Sequence, residues 1–300
     1  MDLPYLRYFI EVAEQGSFSR SAESLHISQP ALSKAIKNME EELGVVLFNR
    51  STRHLQLTDD GDVFLRYARA MLAMSRDLQS SLNEGKQLKR GNISFGLPPV
   101  IGASLFPAII ADFRRTYPRV RLQLLEEGGK VVEQQIREAK LDLGAVVLPV
   151  DEALFDAFPL AKERLSLIVH ADHPLARERL VRLSQLREEP FILFKEGFSL
   201  YDRVRDACIR EGFEPDIVFE SSQWDFIGEM VGAGLGVAFL PPTVAKKLVT
   251  ENVSVIAETD PPIAWDLAII WSRQHYLSHA SRAWLQHIRE WNEKTERRKS

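Results

Sequence analysis

The 300-residue sequence predicts an α+β multidomain chain: a small helical module closed by a hairpin, one long linker helix, and a two-lobed α/β half. Three observations predict it. In the first sixty residues, apolar side chains recur at helical spacing in short segments separated by capping residues. From about 58 to 84 a single stretch carries apolar residues alternately four and three apart. Beyond 91, short apolar runs alternate with helical patterns in two successive sets, as strands joined by crossover helices do.

Leu6, Phe9, Ile10 and Ala13 place a first amphipathic helix over residues 3 to 15. Gly16 ends it, and Ser17 caps a second helix running to about Leu25, with small Ala22 at its centre where another helix must cross. His26 and Ile27 make a bend. Ser28 caps a third helix whose first turn holds Gln29 and Pro30, where proline's missing N–H costs nothing. Leu32, Ile36, Met39 and Leu43 form its buried stripe, leaving Gln29, Ser33, Lys34 and Lys37 on the opposite side. Val45 to Phe48 and Leu55 to Leu57 then flank a tip that carries Arg50 and Arg53.

That outward set has the chemistry of a major-groove reader. Gln pairs two-pronged with adenine, Ser serves several base edges, and Lys reaches guanine or phosphate. An ordinary solvated helix face is the plain alternative for these residues taken alone. The arginine tip beside them favours the sharper reading, because two guanidinium groups on a projecting hairpin can enter the minor groove or grip the backbone. The module reads as a winged helix-turn-helix, with its helix-turn-helix at about 18–37.

The same residues resemble the DNA-binding domain of LysR-type transcriptional regulators. The resemblance rests on Leu6 and Phe9, Gly16-Ser17-Phe18, Ala22 and Leu25, Ser28-Gln29-Pro30-Ala31-Leu32-Ser33, Ile36, Glu40, Leu43-Gly44, Leu47-Phe48, Arg50, and Leu57-Thr58 with Gly61. It implies that Gln29, Pro30, Ser33 and Lys34 face the major groove and that Arg53 reaches out from the wing. Ser28, Lys37 and Arg50 complete the expected DNA contacts. Many family members carry Arg at the place of Lys34, and the two are not equivalent at a two-pronged base contact, so Lys34 is expected to grip phosphate more than base.

Composition agrees. A formal net charge of −4 does not suit a chain that coats nucleic acid indiscriminately, so DNA binding should be selective and salt-sensitive. A hydrophobic content of 45% supports packed domains. The single cysteine, Cys208, rules out an internal disulfide and suits a reducing compartment. The amino terminus reads as the first helix of the module, not a signal peptide, and no apolar run is long enough to span a bilayer. The expectation is a soluble, cytoplasmic protein with no membrane partner.

Thr58 caps the long helix, with Asp59, Asp60 and Asp62 near its positive end. Phe64, Ala68, Met71, Ser75, Leu78 and Leu82 make a narrow seam, expected to pair two copies because a two-fold pair of readers needs rigid spacing. Packing of the helix on its own module is the alternative. Asn83 to Gly91 reads as a hinge.

In the carboxy-terminal half, strands are expected at Ile93 to Leu97, Val120 to Glu126, Leu141 to Leu148, Phe191 to Phe194, Ile217 to Glu220 and Gly236 to Leu240. Helices are expected at Leu105 to Thr116, Val131 to Ala139, Leu200 to Gly212, Trp224 to Ala233 and His279 to Glu290. Segments at Leu165 to His170 and Ala264 to Trp271 are expected to carry the chain between lobes. Parallel sheets around a cleft are the plan of periplasmic-binding-protein-like effector domains, and the family resemblance continues through Glu127-Gly128, Leu141-Asp142-Leu143, His173-Pro174-Leu175-Ala176, Gly212-Phe213, Pro215 and Gly234-Leu235-Gly236-Val237. The expected division is 1–58 for DNA binding, 59–90 for linker helix, dimerisation and hinge, and 91–300 for effector binding. Lobe I would take about 91–161 and 266–300, and lobe II about 162–265.

Ligands in such folds sit at the carboxyl ends of strands, where helix starts offer free N–H groups to an anion. This points to Pro98 to Ser104, Glu127 to Lys130, Lys195 to Leu200 and Ser221 to Gln223. The candidates are Pro99, Val100, Ser104, Gly128, Lys130, Lys195, Phe198, Ser199, Ser221 and Ser222, for a small organic anion. Many relatives carry a hydroxyl at the places of Val100 and Gly129, and this chain has none there.

Enzyme readings fare worse. Gly232 to Gly236 misses the dinucleotide fingerprint and falls between a helix and a strand, the reverse of the required order. His170-Ala171-Asp172-His173 reads as a turn before Pro174 in preference to metal ligands. Cys208 lies on the inner side of a helix, which favours packing over redox chemistry. No catalytic residue, metal or cofactor is expected. A solute-binding or enzymatic α/β protein with a helical arm is the rival, and the arginine wing speaks against it because it does not help bind a solute. The expected partners are double-stranded promoter DNA, a small organic anion, RNA polymerase, and further copies of the chain as a homodimer or homotetramer.

Overall fold

A computed structural model of the chain describes residues 2–49, 55–83 and 91–299. The chain folds as two compact units, one of residues 1–88 with 138–140 and 275–279, and one of 89–137, 141–274 and 280–300.

The first unit opens with α1 (Leu3–Gln15), α2 (Phe18–Ser24) and α3 (Gln29–Leu43). Gly16 and Gly44 end α1 and α3 in the left-handed conformation that side chains with a Cβ resist. Ser17 and Ser28 accept the backbone N–H groups of Arg20 and Ala31, so both serines act as caps. Leu6, Phe9, Val12, Ala22, Leu32, Ile36 and Met39 bury against one another. Leu43 leaves the expected stripe: it is 39% exposed, since the helix ends there and the chain turns away at Gly44.

The wing base is a minimal ladder of β1 (Phe48–Asn49) and β2 (Gln56–Leu57), paired antiparallel. It is shorter than the apolar runs suggested, with Val46 facing solvent. Glu40 on α3 clamps it, one carboxylate oxygen accepting from Leu47 N–H at 2.9 Å and Phe48 N–H at 3.2 Å. Phe48 packs on Phe9 and Phe18, tying ladder to helices.

The long helix α4 (Asp59–Asn83) follows, and Thr58 caps it by accepting Gly61 N–H at 3.0 Å. The expected seam divides here. Phe64 meets Phe9 edge-on and Ala68 is fully buried in the module's core, so the first part of that seam packs on its own chain. Met71 and Leu78 of the expected seam do stay exposed, and with Tyr67 and Met74 they make a row spaced four, three and four, with Val63 exposed one turn before it. The face turns by about one residue because α1 claims Phe64 and Ala68. The side chain of Leu82 and residues 84–90 of the expected hinge lie outside the described residues.

The second unit begins with β3 (Gly91–Leu97), short α5 (Pro99–Gly102), α6 (Phe106–Thr116), β4 (Val120–Glu126), α7 (Gly129–Arg137) and β5 (Leu143–Val147). Next come β6 (Phe155–Arg164), β7 (Ser166–His170), β8 (Leu180–Arg182), β9 (Pro190–Phe194), α8 (Ser199–Arg210) and β10 (Asp216–Ser221). It closes with α9 (Trp224–Gly232), β11 (Ala238–Leu240), α10 (Pro242–Ala245), β12 (Val253–Ile256), β13 (Glu258–Asp260), β14 (Ala264–Ser272) and α11 (His279–Lys299).

One sheet runs β4-β3-β5-β14-β6. Phe95, Phe106, Phe113 and Trp284 pack β3, α6 and α11 together, while Val132 and Ile136 of α7 join a cluster with Leu141, Val146 and Phe155. Asp142 braces the start of β5, accepting both the N–H and the hydroxyl of Ser94 at 2.7 Å. In the other lobe β9 pairs parallel with β10, and β7 lies between β11 and β12.

The sheets are therefore mixed, not parallel as expected. β14 runs antiparallel to β5 and β6, because it returns from the second lobe and enters the sheet against the outgoing strand. The outgoing crossing strand is β6, whose alternately exposed pattern gives it no continuous apolar run; Leu165 to His170 instead begins the second lobe's sheet. β7 directly follows β6 with no crossover helix, so no parallel geometry is imposed there.

Candidate functional site

At the start of α3, Ser28, Gln29, Pro30, Lys34 and Lys37 are exposed and Ser33 is half-buried, opposite fully buried Leu32 and Ile36. The periodicity that buries one face of an amphipathic helix displays the other. The Ser28 cap leaves the first turn of α3 ending in a positive helix terminus, suited to phosphate. Lys37 pairs with Glu41 at 3.5 Å, an exposed contact that a stronger anion displaces at little cost. Arg50 and Arg53 lie outside the described residues. Their supporting ladder is held to α3 by Glu40 and to α4 by Thr58, whose hydroxyl donates to Val46 O at 2.6 Å. The ladder is thus tied to α3 on one side and to the start of α4 on the other.

In the second unit, the candidate residues fall into two groups. Gly128, Lys130 and Ser199 come together. Lys130 Nζ lies 2.7 Å from Asp202 Oδ2, joining α7 to α8, and Asp202 holds the ammonium above the usual lysine range. A Cβ on Gly128 would stand 2.5 Å from Gly197 O, and one on Gly129 would stand 2.9 Å from Ser199 Oγ. Only glycine lets the two helix starts approach this closely. Glu133, one turn further along α7, is half-buried, and burial raises its carboxyl pKa while Lys130 opposes the rise.

Phe198 borders this group, its Cα 3.7 Å from where a Cβ on Gly128 would stand, and Lys195 bonds through its backbone to Phe198 N–H and Ser221 O; the other candidates have separate roles. Val100 is a buried residue of α5, and Ser104 spends its hydroxyl on Ile101 O at 2.9 Å. Ser221 is buried and its hydroxyl accepts Gln223 N–H ahead of α9. These serines act as turn caps. Phe198 packs on Phe194, Lys195 is exposed just beyond β9, and Pro99 and Ser222 are half-buried. Sequence reasoning missed Asp202, Lys247 and Trp224. Lys247 Nζ donates to Ala103 O at 2.7 Å and stands 5.9 Å over the Trp224 ring, linking the end of α5 to the start of α9. Nothing in the local pattern of 246–248 signals this; only the fold brings residue 247 to residue 103.

The residues weighed for other chemistry have structural roles. Nδ1 of His170 and of His173 each accepts a backbone N–H, from Asp172 and Leu175, which closes the turn. Gly234 takes φ +74° just after α9. Cys208 is fully buried on α8, and burial pushes its thiol up to about 12.

Comparison with known proteins places these features in company. Residues 3–62 match the family described as bacterial regulatory helix-turn-helix protein, lysR family, and residues 86–293 match the LysR substrate binding domain. The HTH-type transcriptional regulator YwbI of Bacillus subtilis (strain 168) is 45% identical over 96% of this chain and 96% of its own. The transcriptional dual regulator GltC of the same organism is 34% identical over 87% of this chain and 84% of its own. Among solved structures, a full-length OxyR from Pseudomonas aeruginosa superposes with a TM-score of 0.77 at 30% identity, covering 96% of this chain and 95% of that one. Full-length BenM superposes at 0.61 with 27% identity, covering 99% and 98%.

Proposed function

The chain belongs to the LysR family of transcriptional regulators, and on that premise we propose that the start of α3 reads promoter DNA under control of a small organic anion held by the second unit. The observation that carries the DNA half is the exposed set Gln29, Pro30, Lys34 and Lys37, set just beyond a serine cap and backed by a buried stripe. Gln29 and Ser33 are assigned to base edges, Lys34, Lys37 and Ser28 to phosphate, and Arg50 and Arg53 to the wing. Residues 1–58 form the DNA-binding part, 59–90 the linker, and 91–300 the effector part. The free Tyr67, Met71, Met74 and Leu78 seam supports a dimer, alone or paired into a tetramer. RNA polymerase is the further partner that action at a promoter calls for, and the cytoplasm is the compartment proposed. Among the described residues no helix is long and apolar enough to cross a membrane.

Lys130, Lys195 and the N–H groups at the start of α7 support the anionic effector, since they supply positive charge and donors at the carboxyl ends of strands. Two relatives, from Pectobacterium carotovorum and Dickeya chrysanthemi, are named hydrogen peroxide-inducible genes activator. Peroxide chemistry at sulfur needs an accessible thiolate, and Cys208, the one cysteine of the sequence, is buried and neutral at physiological pH. Peroxide sensing by a thiol is therefore left out of the proposal.

Fluorescence anisotropy on duplex DNA from upstream of the protein's own gene, against random competitor at fixed salt, tests the DNA half. Gln29→Ala and Ser33→Ala should each narrow the preference for the true site by about 1–3 kcal/mol at one base position. Arg53→Ala should weaken every duplex and lower the salt slope by about one. Equal losses on all sequences from the Gln29 and Ser33 variants would refute the base assignment. For the effector half, melting with acetate, pyruvate or benzoate should rise for one of the three; no rise with any refutes the small-carboxylate reading.

A further inference from the structure

Among the described residues, the side-chain contacts Lys130–Asp202 and Lys247–Ala103 join the lobes of the second unit. At one, Lys130 in the first turn of α7 meets Asp202 in the first turn of α8 at 2.7 Å. At the other, Lys247 bonds the carbonyl of Ala103. They differ in kind: Lys247 is held by a neutral acceptor, whereas Lys130 has its charge answered by a carboxylate of the protein itself. The surroundings of the first contact are tight. Ser199 Oγ stands where a side chain on Gly129 would begin, and Gly197 O where one on Gly128 would. The first turn of α8 thus presents a hydroxyl and a carboxylate, three residues apart, to the start of α7. That is the pattern of donor and charge a small hydroxy acid would offer.

We infer that Asp202 is a built-in competitor: its carboxylate occupies Lys130 in the effector-free protein, latches the two lobes, and gives way when an effector carboxylate takes its place. The inference rests on the anion-effector reading above and specifies how that site is regulated. A tethered carboxylate competes at an effective concentration on the order of millimolar, so a free anion must exceed that level or bring further contacts. Both partners are substantially exposed, at 65% and 37%, so the latch is a weak one that a metabolite can open.

The test uses the full chain with Cys208→Ala and nitroxides on Arg137→Cys of α7 and Arg210→Cys of α8, read by double electron–electron resonance. Asp202→Asn should add a longer component to the distance distribution, and the charge swap Lys130→Asp with Asp202→Lys should remove it again. A distribution unchanged by Asp202→Asn overturns the latch, as does a broadening that the swap fails to reverse. In parallel, the carboxylate that raises melting of the wild-type protein should bind Asp202→Asn about two- to fivefold more tightly, the size expected for freeing one exposed ion pair. Equal or weaker binding overturns the competition. If acetate, pyruvate and benzoate all leave both proteins unchanged, the effector reading fails and the competition with it, while the distance measurement still decides whether Lys130 and Asp202 latch the lobes.

Discussion

Gly61→Ala separates helix propensity from tertiary packing within one residue. Gly61 lies in the first turn of α4, and on propensity alone alanine there should stabilise the helix by about 1 kcal/mol. The structure predicts the opposite. A Cβ at this position would stand 2.2 Å from Leu47 O and 3.0 Å from Leu57 Cδ2. The carbonyl has little freedom to retreat, because it accepts Thr58 N–H at 3.0 Å while Leu47 N–H is held by Glu40. Relieving the overlap means moving α4 away from the wing base or breaking that bond. Overpacking of this kind costs about 1–3 kcal/mol, and the backbone hydrogen bond at risk adds about 1 kcal/mol. Against the propensity gain, the net loss is about 1–3 kcal/mol. For a domain of this size, each kcal/mol lowers the melting temperature by about 4–8 °C. Thermal unfolding followed by circular dichroism should show the loss, and anisotropy should show weaker DNA binding, since the wing base carries the arginine tip. A variant melting at or above the wild type would refute the reasoning.

Three other outcomes follow from named contacts. Tyr67→Asp with Met74→Asp should shift the protein to smaller species in sedimentation while leaving the module folded, whereas Ala68→Asp should unfold it; a dimer that survives the first pair places the seam elsewhere. Cys208 should resist thiol reagents at pH 8 until urea is added, and stability should fall as pH rises from about 9 toward about 12, where the unfolded thiol ionises and the folded one does not; fast labelling of the native protein at pH 8 would contradict this. Burial lowers the pKa of His287 despite the opposing charge of Asp112 3.3 Å away, so acid should cost stability as pH falls below about 6.5, where the unfolded imidazole takes a proton first. His287→Gln should flatten that part of the melting profile, and an unchanged profile would assign the acid sensitivity to other groups.

The amino-terminal module was readable because its determinants are local. Ser17, Ser28 and Gly16 cap or end helices through neighbours within a few residues, and Leu32, Ile36 and Met39 bury by periodicity alone. The alternation of strands and helices after Gly91 likewise marked most elements of the second unit. Tertiary structure decided what depends on partners distant in sequence. Which face of α4 stays free turned on α1 taking Phe64 and Ala68, leaving Tyr67 and Met74 outward. β14 entered its sheet antiparallel because a strand returning from another lobe must arrive from the far end, a constraint with no signature in its own residues. Gly61, Lys130, Asp202 and Lys247 acquire meaning only from Leu47, each other and Ala103, brought near by folding. Local sequence encodes the conformations a segment prefers, whereas a cleft is made of contacts between segments, and those exist only once the chain has closed on itself.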